Sequence, residues 1–114
     1  MQPDMSRLLS MVLPDDTTLG EPYWAIMATH DGQLTGQFWT VYQAGHTVIP
    51  LFEDRDSAES VRAVLSQEGM VVRGIAWKHL QFLRRRPPQG AELGVVQGFR
   101  AHGELTIALL PPIS

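Results

Sequence analysis

The sequence predicts a single α+β domain over residues 1–114, a two-layer arrangement in which one mostly antiparallel sheet of about six strands is flanked by two helices plus a short N-terminal helix. Three observations carry this expectation. Residues 45–69, GHTVIPLFEDRDSAESVRAVLSQEG, run from a β-branched apolar stretch through a charged turn into an amphipathic helix. Two further strand-like stretches precede this run and are joined to each other and to it by short glycine-containing turns. Behind it come MVVRGIA, a short basic helix halted by two prolines, and a last pair of apolar stretches around a glycine.

Residues 1–22 read as an N-terminal helix and loop, and 23–110 as the core. Met5, Leu8, Leu9 and Val12 recur at helical spacing; Asp4 or Ser6 can cap that helix and Pro14 stops it. At about two turns it must dock to be stable, either over one end of the core or on a second chain. Tyr23–Thr29 reads as a strand. His30 and the Asp31-Gly32 pair make a tight turn, and Leu34–Gln43 is the return strand. Gly36 within it marks a bulge or a close backbone approach. Ala44-Gly45 turns the chain into the next strand.

His46–Phe52 has the apolar, β-branched character of a buried strand, and Pro50 places an edge, a bulge or a strand end there. Asp56 is expected as the N-cap of the following helix, with Glu59 completing a capping box. Ala58, Val61, Val64 and Leu65 form its apolar face, and Gly69 suits the left-handed position past its end. Met70–Ala76 is a strand, so strand, helix and strand can form a right-handed crossover. Trp77–Arg86 is a helix with Ala76, Leu80 and Leu83 on one face, arginines in its last turn and Pro87-Pro88 after it. Leu93–Phe99 and Glu104–Leu110 close the chain as a hairpin around residues 101–103. Trp24, Trp39, Tyr42 and Trp77 are expected in the core or half-buried; exposed together, they would mark an interface.

Composition narrows the function classes. Twelve acidic against nine basic residues give a net charge of −3, which disfavours nucleic-acid binding through the whole surface. There are no cysteines, which removes disulfides, thiolate catalysis and Cys-based zinc sites. Eight of the nine basic residues are arginine, a bias with no physical reading here. No signal-peptide pattern and no apolar stretch of about 20 residues is present. A cytoplasmic protein without a membrane span is expected.

No motif specifies a reaction. His30, His46, His79 and His102 lack metal-ligand spacing, so no metal and no cofactor is expected. Ser57, Ser60 and Ser66 lack a nucleophile context, and the glycine-containing stretches are not dinucleotide fingerprints. A small-molecule or enzymatic site, if there is one, is placed beyond the end of the 46–52 strand. Glu53, Asp54, Arg73 and Trp77 are the candidate binding residues there. Lys78, Arg84, Arg85 and Arg86, with Trp77 and Phe82 nearby, form the candidate basic patch for a nucleic acid. A solvated turn and a solvated helix end are the plainer readings of these two groups.

Ile49, Pro50, Leu51 and Phe52, followed at an interval by Ala58, carry a resemblance to the N-terminal domain of the SseB-like family over roughly residues 23–98. The sequence departs from that pattern at Gly94-Val95-Val96, near the place where an asparagine-proline pair is common. The resemblance implies a small bacterial α+β domain with a role in regulation or protein interaction, and no catalytic residues. The leading expectation is a non-enzymatic module that binds a protein partner or itself as a homodimer.

Overall fold

Alternation along one strand sorts the interior into two cores. In the computed structural model, which describes residues 21–65, 68–99 and 105–110, strand β1 spans Pro22–His30. Its successive side chains point to opposite faces. Ala25 and Met27 enter one apolar core, and Ile26 enters the other. Helix α1 (Arg55–Val64) adds Ala58 and Val61 to the core of Ile26. Helix α2 (Trp77–Arg85) adds Leu80 and Leu83 to the core of Ala25 and Met27. The two helices therefore cover opposite faces.

The chain follows an antiparallel path first. β1 turns at Asp31-Gly32 into β2 (Gln33–Phe38), with His30 opposite Gln33. Asp31 and Gly32 both have positive φ, 52° and 80°, as a two-residue hairpin turn demands. The expected bulge is present: the register between β1 and β2 shifts between Met27 and Thr29, and Gly36 opposite takes φ 87°. β3 (Val41–Gln43) and β4 (His46–Leu51) form the next hairpin through Ala44-Gly45.

β4, α1, β5 (Met70–Ala76), α2 and β6 (Glu92–Phe99) then follow in order, and β7 (Leu105–Leu110) pairs with β6. One sheet has the order β2-β1-β5 and the other β3-β4-β6-β7. All pairings are antiparallel except β4 with β6.

Two expectations change here. The described residues form seven strands in two sheets, not one sheet of about six strands. The extra strand arises where residues 34–43, expected as one strand, break at Trp39-Thr40. Up to Phe38 the chain pairs with β1; from Val41 it pairs with β4. Trp39 still donates its N–H to the Ile26 carbonyl at 2.8 Å, so the break transfers the strand between sheets without orphaning that donor. The N-terminal helix and the turn at 101–103 lie outside the described residues.

The sheets are joined just past the end of β4. Phe52 and Trp24 exchange both backbone hydrogen bonds at 2.7 Å, an isolated antiparallel bridge. β4 and β5 both run antiparallel to β1 in this way. The far edges of the second sheet also approach one another: the Gln43 side-chain amide on β3 donates to the Leu105 carbonyl on β7 at 2.7 Å. Gln89, in the 3-10 turn Pro88–Gly90, extends β2 with its side chain. Its Oε1 accepts from the Phe38 N–H at 2.7 Å and its Nε2 donates to the Phe38 carbonyl at 3.2 Å.

Candidate functional site

The end of β4 opens onto a cleft of about 220 Å³. Phe52, Glu53, Asp54 and Ser57 line one side, and Val96, Gln97, Gly98 and Phe99 line the other. The parallel pairing of β4 with β6 brings these two walls together, Leu51 opposite Val95. On β6 the register shifts between Val96 and Gly98, so Gln97 is an extra residue at a bulge. Only the first wall is legible in the sequence. The second had a faint signal in the glycines of GVVQGF, because glycine inside a strand often marks a bulge.

Asp54, not Asp56, caps α1. Its backbone is extended (φ −140°, ψ 155°), its Oδ1 accepts from the Ser57 N–H at 2.7 Å, and its Oδ2 accepts from the Ser57 hydroxyl at 3.0 Å. The helix starts at Arg55, two residues earlier than expected, which leaves Asp56 in its exposed first turn. Glu59 does not close a capping box onto Asp56; it pairs instead with Arg62 at 2.8 Å. Gly69 takes the expected left-handed backbone (φ 79°) but not at the position just past the helix: the C-cap is Leu65, Gly69 stands in the turn before β5, and Val64 is exposed. Asp54→Ala should therefore cost about 1 kcal/mol of stability in urea unfolding. Asp56→Ala should cost no more than about 0.5 kcal/mol, the scale of a helix-dipole interaction. Equal losses would refute the reassigned cap.

Only two of the four candidate binding residues line the cleft. Glu53 is exposed, and both Asp54 oxygens hold the helix cap. Arg73 belongs to β5, where alternation puts it on the α2 side with Val71 and Ile75, away from the α1 side. Its guanidinium Nη1 donates to the Val72 carbonyl at 2.9 Å, and its Nε is buried without a hydrogen-bond partner. Trp77 opens α2 and is 62% exposed, so it is not a core residue as expected. Tyr42 is exposed as well, whereas Trp24 and Trp39 are half-buried. The Arg55 guanidinium stands 5.5 Å from the Trp24 ring centroid, a cation–π contact at the start of α1.

A different surface is assembled on α2. Its inward side holds His79, Leu80 and Leu83, all buried. His79 supplies what Ala76 at the N-cap lacks: its Nδ1 accepts from the Ala76 N–H at 3.2 Å. The outward side carries Trp77, Lys78, Gln81, Phe82 and Arg85, positions that share one face at 3.6 residues per turn. Phe82 is 43% exposed. Of the basic patch, Lys78, Arg85 and Arg86 are exposed, while Arg84 is half-buried and already has a partner. The sequence contained part of the signal for this surface, since Phe82 falls on the far side of the helix from Leu80, whereas Trp77 stands one turn before Leu80.

Among the described residues, His30 and His46 lie apart from His79 and from each other. His30 ends β1 in solvent beside Asp31, and His46 on β4 pairs with Glu92 on β6. Among the described residues no three His, Asp or Glu side chains come together as a metal site, and no helix is long and apolar enough to cross a membrane. No protein-family model matches the sequence, and no curated protein matches it.

Proposed function

We propose that this protein is a non-enzymatic interaction or regulatory module that engages another protein, or a second copy of itself, through the outer face of α2. The exposure of Trp77 and Phe82 on one helical face carries this reading. Isolated exposed apolar residues are ordinary on a protein surface. Two large aromatics exposed five positions apart on the outward side of one helix are the residue type that anchors protein interfaces. The cleft supports it from the other direction, because the carboxylate best placed for chemistry there, Asp54, is held on both oxygens by Ser57. The likeness of Ile49–Phe52 and Ala58 to SseB-like domains points the same way.

A small-molecule or enzymatic site is the second reading. It is favoured by the position of the cleft just past the C-terminal end of β4, beside the second half of its parallel neighbour β6, since α/β sheets commonly bind ligands beyond strand C-terminal ends.

The test is a photo-crosslinking residue at Gln81, which is exposed on the α2 face and spares both aromatics. The expected result in cells is a discrete adduct that disappears when Trp77→Ala is added. A self-adduct would show the homodimer, and a heavier adduct a different partner. Absence of any adduct, with the variant folded and abundant, would overturn the proposal.

A further inference from the structure

We infer that the occupant of the α2 face is an acidic segment of a partner protein that also carries apolar side chains. This deepens the interaction reading above and rests on it. Residues 77–86, WKHLQFLRRR, hold four of the chain's nine basic residues and no acidic one, in a protein of net charge −3. The charge of the surface is thus reversed locally, on the helix that exposes Trp77 and Phe82.

Lys78 and Arg85 lie on that face and Arg86 follows at its C-cap. None of the three has an ion-pair partner among the described residues. Cations at positions 78 and 85 are two turns apart, with Phe82 between them on the same side. An incoming chain that alternates carboxylates with apolar residues satisfies both features at once: carboxylates on the cations, with bidentate geometry available at arginine, and an apolar residue against the aromatic rings.

Size and net charge favour this occupant over a nucleic acid. Nine residues of helix extend only about 13 Å. The remaining surface of an acidic chain repels a polyanion that runs past the helix. A short acidic peptide meets the favourable face alone. A second copy offers a less suitable match, because the acidic turn at Glu53, Asp54 and Asp56 is a different surface from the α2 face, and joining the two would give a head-to-tail contact that need not close.

Fluorescence anisotropy on the full chain tests this. The probe is a labelled peptide of about a dozen residues built from Glu, Asp, Leu and Phe; controls carry Gln and Asn for the acids, or Ala for the apolar residues, and a labelled single-stranded oligonucleotide is run in parallel. Saturable binding of the acidic apolar peptide is expected. Both control peptides should bind at least tenfold more weakly, as should Trp77→Ala and Arg85→Glu proteins shown to be folded by circular dichroism. Tyr42→Ala, exposed on β3, should bind unchanged. Tighter binding of the oligonucleotide would overturn the inference in favour of a nucleic acid. Peptide binding indifferent to both α2 variants would overturn it as well. Failure of the peptide to bind, while the Gln81 crosslink still forms, would reject the acidic partner and leave the interaction module standing. Loss of that crosslink would reject both.

Discussion

Phe52→Ala is expected to remove about 4 kcal/mol of stability, a large part of the roughly 5–15 kcal/mol that holds a domain folded. Phe52 is completely buried and packs in the core of Ile26, Ala58, Val61, Val72, Val96 and Leu105. That core takes residues from both sheets and from α1, so a cavity at Phe52 opens where all three meet. The backbone bonds between Phe52 and Trp24 do not depend on the side chain. The substitution therefore isolates packing from strand pairing. Urea unfolding gives the readout: the midpoint should fall steeply, and Phe52→Leu, which refills most of the volume, should cost only about 1–2 kcal/mol. A reduced m-value would show in addition that the native state itself has loosened between the sheets. A loss below about 1 kcal/mol for the alanine variant would mean that the bridge alone joins the sheets.

The legible parts of this fold are those governed by nearest neighbours in sequence. The turns at Asp31-Gly32 and Ala44-Gly45, the strand at 46–51 and both helices follow from local spacing. The misplaced cap is also a local matter. Asp54 and Asp56 are both sound N-caps, and the choice fell to Asp54 because Ser57 answers it with both an N–H and a hydroxyl.

What stayed hidden depends on long-range pairing. Nothing local in residues 34–43 says that Phe38 serves one sheet and Val41 the other; the transfer exists because β4 brings Phe52 against Trp24 and takes the space beside the first half of β1. The parallel pairing of β4 with β6, 40 or more residues away, is equally invisible, and with it the second wall of the cleft. The α2 face was visible in part. Its cations are legible as a cluster with Trp77 and Phe82 nearby, but Trp77 reads equally as a core residue, and only the burial of Leu80 and Leu83 decides that both aromatics face out.

Gly94→Ala is expected to cost about 3 kcal/mol, more than most exchanges that add a single methyl group. Gly94 lies in β6, between Pro50 of β4 and Leu109 of β7. A Cβ placed on it would overlap the Ile107 Cγ2 methyl and lie 2.9 Å from the Val48 Cγ1 methyl. Neither neighbour can yield by swinging a flexible tip. Both are β-branched, so the obstructing methyls are attached at Cβ and are stiff about χ1. The added methyl must then displace strand backbone, and the four-stranded sheet is tied at both edges by the Gln43 contact to Leu105.

Glycine is thus selected here by close approach and not by backbone conformation. This distinguishes it from Gly32 and Gly45, where positive φ is the requirement and a Cβ would meet open space. A double-mutant cycle checks the mechanism. Ile107→Ala removes the nearer methyl, so the double variant should be more stable than the two single losses predict, with a coupling of at least about 1 kcal/mol. Strict additivity would show that the cost of Gly94→Ala comes from somewhere other than the contact across β6 and β7.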